Sequence, residues 1–249
     1  MITVRNIWKA FDTGPVLRGV NLDVEEEETL VVLGKSGCGK SVLLKTIIGL
    51  IQPDAGSVTV DGSELGGLTY RQLRALRFKF GFLFQGAALF DSLTVEENIA
   101  LPLRRDWTKS EDQIRERVRT ALDLVGLGPI ESAMPASLSG GMKKRVGLAR
   151  AIAPNPSYVL YDEPTTGLDL ETADGISMLI NDLRERLGVT SIVVTHDIHS
   201  AFLVGDRFAV LDGGVTLVTG TREEIMNSED ENVRKYIDSS LRTEKRDEQ

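Results

Sequence analysis

Gly34-Lys35-Ser36-Gly37-Cys38-Gly39-Lys40-Ser41 follows the apolar run Leu30 to Leu33 and precedes the helix-like stretch Val42 to Leu50. The order is strand, glycine-rich turn, helix start. Such a turn is a phosphate cradle, because its glycines let successive backbone N–H groups face an anion and the helix N-terminus adds unpaired donors and partial positive charge. It fits G-x-x-x-x-G-K-S/T in the strand-then-helix context that the pattern requires. Gly34, Lys35, Ser36, Gly37, Cys38 and Gly39 are expected to wrap the phosphates, Lys40 to reach the β- and γ-phosphates, and Ser41 to bind Mg²⁺.

Composition narrows the setting. The chain has 249 residues, 41% of them hydrophobic, enough for one large or two small domains with a substantial core. A formal charge of −8 argues against nucleic acid as the main partner, since there is no basic excess to displace counterions. The single cysteine, Cys38, cannot form an internal disulfide and suits a reducing compartment. Val42 to Ile51, the most apolar stretch, is far shorter than the roughly eighteen residues of a membrane span and is broken by Lys45. Met1 to Asp12 alternates Ile2, Val4 and Ile7 with polar residues and lacks a secretory pattern, so a cytoplasmic location is expected.

Short β-branched runs, Ile2 to Ile7, Val16 to Val24, Leu30 to Leu33 and Ser57 to Val60, are separated by turn signals at Asp12 to Pro15 and Asp61-Gly62. They predict a small antiparallel sheet beside a parallel core. Phe78, Phe80, Phe82 and Phe84 alternate and are expected to face the core from one strand. From Thr94 to Ala153 the pattern turns helical, with Ile114, Val118, Ala121, Leu122, Val125 and Leu127 at helical spacing. Strand and helix then alternate again: Tyr158 to Tyr161, Leu170 to Leu187 and Ser191 to Thr195. An α/β core is therefore interrupted by a helical block at about 86–156. Val233, Tyr236, Ile237 and Leu241 have amphipathic spacing, and within the charged tail 241–249 the stretch Arg242 to Gln249 is expected to be disordered.

A phosphate cradle alone does not define a function, so the other polar positions must decide. The apolar strand ending in Asp162-Glu163 places two carboxylates where a doubly wound sheet puts its active site. Asp162 fits the Walker B role of holding Mg²⁺ through water, and Glu163 that of polarising the attacking water. The alternative is a solvated pair before the turn Pro164 to Gly167. His196 ends the strand Ile192 to Thr195 and is a candidate sensor of the γ-phosphate, whereas His199 is expected on the surface. Gln85 ends the phenylalanine strand, and its amide can ligate Mg²⁺ or release it as the loop Gln85 to Ala88 moves.

Leu138-Ser139-Gly140-Gly141-Met142 reads as a second anion-binding helix start, with Ser139 as N-cap. One nucleotide does not need two cradles in one subunit. A head-to-tail homodimer resolves this, the Ser139 helix of one copy closing over the phosphate held by Lys40 of the other.

In this order, the cradle, the Gln85 loop, Leu138-Ser139-Gly140-Gly141, Asp162-Glu163, Gly167-Leu168-Asp169 and His196 resemble an ABC transporter ATPase over residues 1–226. The resemblance implies a P-loop NTPase (RecA-like) α/β core with an antiparallel β subdomain and an inserted α-helical subdomain, within one ATP-binding domain at 1–240. It also implies ATP and Mg²⁺ as cofactors, Phe11 as the ring that stacks on adenine with Val16 beside it, and Asp169 as a residue that communicates across a dimer. The run from Phe84 to Leu103, with Met134 to Ser137 and Met142 to Arg145, is similar to the ATPases of Mla/Mce phospholipid transport systems. That likeness implies integral permease subunits, an Mce-type lipid-binding protein attached to them, and peripheral attachment to the inner face of the cell membrane. The acidic run Glu25 to Glu28 departs from the more usual mixed sequence there. Two alternatives remain: an importer ATPase for another solute, and a non-transport ABC ATPase, which the acidic charge, the single ATPase unit and the lack of a long coiled-coil insertion disfavour. A GTPase switch would need an Asn-Lys-x-Asp motif, which is absent.

Overall fold

The structure, a computed structural model, describes residues 1–105 and 108–247, the side chains of 240–247 excepted. The chain folds as two compact units, Met1–Arg77 with the chain from Thr190 onward, and Phe78–Val189.

In the first unit, β1 (Ile2–Phe11), β2 (Gly14–Val24), β4 (Ala55–Val60) and β5 (Ser63–Glu64) form an antiparallel sheet in the order β2-β1-β4-β5. Ile2, Val4 and Ile7 are fully buried, although the step from Val4 to Ile7 breaks a two-residue alternation. A bulge restores it. The register shifts between Val4 and Ile7, and Asn6 takes a left-handed φ of 48°. Gly56 faces that bulge with φ 88°, where a Cβ would lie 2.2 Å from the Asn6 carbonyl oxygen.

The same unit holds β3 (Thr29–Leu33) between two parallel neighbours, β8 (Thr190–Thr195) and β9 (Arg207–Asp212), with β10 (Val215–Gly220) antiparallel to β9. Every residue of β3 is buried, as expected of a parallel strand covered on both faces. Glu28, at the entry to β3, accepts hydrogen bonds from Arg207 Nη1 at 3.0 and 3.2 Å and from the Glu25 N–H at 2.7 Å. The end of the acidic run thus closes a turn onto β9. Helices α1 (Lys40–Ile47), α2 (Tyr70–Arg77), α7 (Ile198–Val204), α8 (Arg222–Met226) and α9 (Glu231–Asp247) complete the unit.

The second unit contains the parallel pair β6 (Phe80–Leu83) and β7 (Tyr158–Asp162), with α3 (Val95–Leu103), α4 (Glu111–Leu124) and α5 (Gly140–Ile152) between them in sequence and α6 (Leu170–Leu187) after β7. Both α3 and α4 start with capping boxes, at Thr94/Glu97 and Ser110/Gln113. Ile114, Val118, Ala121 and Leu122 are buried, as the helical spacing predicts. Asn98 is fully buried on α3. Its Nδ2 donates to the carbonyls of Phe90, Leu93 and Thr94, and its Oδ1 accepts from the Phe90 N–H.

Three expectations are corrected. The phenylalanines are not core: Gly81 and Leu83 are the buried residues of β6, Phe80 and Phe82 are half-buried, and Phe78 is 39% exposed before the strand begins. Phe82 instead lies against Phe84 with tilted rings, and Phe80 stacks on Tyr158 of the neighbouring β7. The reason is Gly81, where a Cβ would lie 2.4 Å from the Ala151 carbonyl oxygen, so the close approach to α5 occurs on the glycine face. The charged tail is helical rather than disordered as far as Asp247, α9 being anchored by buried Val233, Tyr236 and Ile237; the Leu241 side chain and residues 248–249 lie outside the described residues. His199 is half-buried in the first turn of α7 rather than on the surface.

Candidate functional site

The cradle leaves the carboxyl end of β3 and runs into α1. Gly37 and Gly39 adopt φ values of 82° and 108°, left-handed conformations that let consecutive N–H groups turn the same way. At Gly34 a Cβ would lie 2.4 Å from the Leu211 carbonyl oxygen and 2.6 Å from Cys38 Sγ, and at Gly39 it would lie 3.0 Å from the Val16 carbonyl oxygen. The loop therefore tolerates no side chain at either position. Val16 packs against Gly39 beside the cradle. Phe11 is 45% exposed near the start of β2, with Lys9 Nζ 5.5 Å from its ring centroid. Lys35, Ser36 and Gly37 are exposed at the loop tip.

Lys40 is 5% exposed, and its ammonium donates to the carbonyls of Gly34 at 2.7 Å and Lys35 at 3.1 Å. Ser41 follows it, half-buried in the first turn of α1. Gly39, left-handed at φ 108°, caps α1 without a side-chain hydrogen bond, and a helix start of this kind suits an anion. Burial raises the Cys38 thiol, the neighbouring Lys40 charge only partly opposing it. A thiol so placed is protonated at neutral pH and acts as packing within the loop.

His196 is brought to the same loop. Leu33 pairs with Thr195 across the parallel strands, and the Gly34 N–H donates to the Thr195 carbonyl at 3.3 Å, so His196 emerges beside the start of the cradle with its side chain exposed. Its carbonyl accepts a hydrogen bond from Tyr236 Oη at 3.1 Å, tying α9 to this strand tip.

In the second unit, β6 and β7 pair with Leu83 opposite Tyr161, so Gln85 and Glu163 leave the sheet at matching positions. Asp162 and Glu163 are 5% and 6% exposed, which rules out a solvated pair. Glu163 has φ 51°, and its Oε2 accepts from Thr166 Oγ1 at 3.0 Å. Gln85 is exposed at the head of a loop in which Ala87 and Ala88 are also left-handed. Ser139 caps α5, accepting from the Met142 N–H at 3.3 Å, and Ser139 and Gly140 are exposed at that helix start. A Cβ on Gly141 would meet Thr172 Cγ2 at 2.7 Å, so a side chain there would have to displace Thr172 on α6. Asp169 caps α6, and its hydrogen bonds from the Thr172 N–H and hydroxyl hold its carboxyl below the usual range.

Lys144 was not singled out in the sequence. It is 5% exposed on α5, and its Nζ donates to the Glu163 carbonyl at 2.9 Å and to the Gln85 carbonyl. Burial lowers its pKa to about 8, with the charges of Glu163 and Asp162 opposing the fall. The available signal was positional: Lys144 shares a helix face with Gly147, Leu148 and Ala151, all buried, and a lysine on a buried face needs a partner.

The polar groups fit a nucleotide with Mg²⁺. Among the described residues no cluster of three or more His, Cys, Asp or Glu side chains could hold a metal by itself. Mg²⁺ takes one or two protein oxygens and completes its shell with phosphate and water, and the buried Asp162 carboxylate and the half-buried Ser41 hydroxyl are oxygen donors of that kind.

A glycine cradle followed by a buried Asp-Glu strand end defines an ATP-hydrolysing cassette with a P-loop NTPase α/β fold. The ABC transporter family model matches residues 17–166, and the chain belongs to that family as an ATP-binding subunit. It is 39% identical over 236 residues to the probable ribonucleotide transport ATP-binding protein mkl of Mycobacterium leprae, an alignment covering 95% of this chain and 68% of that protein. To the methionine import ATP-binding protein MetN it is 42% identical in Caulobacter vibrioides, covering 90% of this chain and 68% of that protein, and 41% in Mesorhizobium japonicum, covering 86% and 58%. The chain thus spans between 58% and 68% of the length of these curated relatives. Among solved structures it superposes on the dimeric post-hydrolysis state of the ATP-binding cassette MJ0796 bound to ADP and Pi with a TM-score of 0.82 at 35% identity, covering 89% of this chain and 98% of that one. cbiO1 from Clostridium perfringens, part of the cbiONQ transporter complex, gives 0.82 at 30% identity, covering 94% and 93%. Among the described residues no helix is long and apolar enough to cross a membrane.

Proposed function

We propose that this chain hydrolyses ATP as one half of a head-to-tail homodimer and thereby drives a phospholipid-transporting permease of the Mla/Mce type. Lys40 and the loop N–H groups hold the phosphates, Glu163 orients the attacking water, and His196 senses the γ-phosphate. Ser41, Gln85 and Asp162 attend Mg²⁺, which neutralises phosphate charge when bound. Phe11 and Val16 serve the base. Ser139, Gly140 and Gly141 complete the pocket of the other copy. The observation that carries this reading is the exposed, serine-capped start of α5, a helix end suited to an anion in a chain whose own cradle already has one at α1.

The lipid assignment rests on the Phe84 to Leu103 run and on Met134 to Ser137 and Met142 to Arg145, segments whose similarity is read as reporting a partner. Attachment to the membrane through that permease, with an Mce-type protein beyond it, follows from the same likeness. A second reading, an importer of a small solute, is favoured by the MetN relatives. Co-purification separates the two: the tagged chain is expected to retain a permease that carries an Mce-type protein. Recovery of a solute-importer permease instead would refute the lipid reading and leave the ATPase reading intact.

A further inference from the structure

The carbonyls of Gln85 and Glu163 stand two residues beyond the Leu83–Tyr161 pair, where the ladder between β6 and β7 has ended. The Glu163 carbonyl leaves the sheet in a buried region and the Gln85 carbonyl in a part-buried one, and both need donors from outside the ladder. Both find the same one: the Lys144 ammonium bridges them, with three N–H directions and a flexible stem that suit two acceptors from separate loops. The segments it joins are conformationally demanding. Glu163, Ala87 and Ala88 have φ values of 51°, 59° and 46°, conformations an L residue keeps only when its surroundings over-determine them. Arg150, further along α5, donates to the Ala88 carbonyl at 2.7 Å and to that of Ala87. Between the two cations lies Gly147, where a Cβ would meet Leu83 Cδ1 at 2.8 Å and Ala87 Cβ at 3.2 Å. One face of α5 therefore grips the Gln85 loop by the carbonyls of Gln85, Ala87 and Ala88, and Lys144 extends that grip to the Glu163 carbonyl.

We infer that Lys144 is a positioning residue for hydrolysis, fixing the backbone from which the Glu163 carboxylate is aimed and making that aim depend on where the Gln85 loop stands. The inference rests on the reading of Glu163 as the residue that orients water. A neutral, apolar side chain of similar length would fill the space of Lys144 but leave both carbonyls without their donor. Displacement of the loop by a partner would then no longer be felt at Glu163.

The test measures steady-state ATP hydrolysis by the full chain with its permease for Lys144→Met, Lys144→Arg and Glu163→Gln. Lys144→Met is expected to lower kcat by about tenfold to a hundredfold while KM for ATP stays within about twofold, the pattern of a lost transition-state arrangement. Lys144→Arg, which keeps the donors, is expected to recover most of the rate. Amide hydrogen exchange over 84–88 should quicken in Lys144→Met and not in Lys144→Arg. A wild-type kcat in Lys144→Met, or a loss carried by KM, overturns the inference. Should Lys144→Met fail to fold, Lys144→Gln is judged by the same readouts. If Glu163→Gln keeps its turnover, the reading of Glu163 fails; if it loses turnover while Lys144→Met does not, only the role of Lys144 fails.

Discussion

At Glu163 a left-handed backbone, a buried carboxylate and a hydrogen bond from Thr166 coincide in one residue. Glu163→Gln keeps the side-chain shape and an acceptor for Thr166 while removing the carboxylate proposed to orient the attacking water. Turnover is expected to fall by about 10²- to 10⁴-fold with ATP binding retained, as read by a hydrolysis assay beside a nucleotide-binding titration. Lys40→Ala separates the other way. It removes the ammonium held by the carbonyls of Gly34 and Lys35, and ATP affinity should drop; full retained affinity would remove Lys40 from the cradle. Asn98 is a structural counterpart. Asn98→Ala removes the side-chain donor to the carbonyls of Phe90, Leu93 and Thr94 and the acceptor of the Phe90 N–H, with backbone donors remaining at Phe90 and Thr94, and a loss of about 2 kcal/mol is expected in urea unfolding.

Among the elements, β6 and α5 approach most closely where Gly81 meets the carbonyl of Ala151. Gly81→Ala has to move backbone rather than a flexible side chain, so a destabilisation of about 1–3 kcal/mol is expected in chemical unfolding. The start of α6 gives a prediction with pH. Hydrogen bonds from Thr172 lower the Asp169 pKa below its ordinary 3.8, so the folded state binds a proton less readily than the unfolded chain. The resulting stability is present above that ordinary value and is lost as pH falls through the lower folded one. Asp169→Ala should therefore melt below the wild type at neutral pH, and the gap in Tm should narrow as the pH is taken down past the ordinary 3.8 and through the lower folded value. These contacts also show what periodicity cannot reveal: the alternation of Phe78, Phe80, Phe82 and Phe84 established one shared face, while the other face, carrying Gly81 and Leu83, was the buried one.

For the whole molecule, the proposed pocket is complete only in a pair of chains. Glu163→Gln, saturated with Mg-ATP and supplied with permease, is expected to show two copies engaged by light scattering, and a single engaged copy would refute the sandwich. Much of this was legible in one dimension. The cradle, the carboxylate pair, Ser139-Gly140-Gly141 and His196 depend on local backbone chemistry, in which glycine conformations, helix starts and strand ends are set by neighbouring residues, so residue order alone determined the class of protein and its candidate chemistry. Only the tertiary structure decided that Thr195 pairs with Leu33 and delivers His196 beside Gly34, that Tyr236 of α9 reaches the His196 carbonyl, and that Lys144 bridges Gln85 and Glu163. Those contacts join residues far apart in sequence, and a lysine on a helix carries no local mark of which distant carbonyls its ammonium will find.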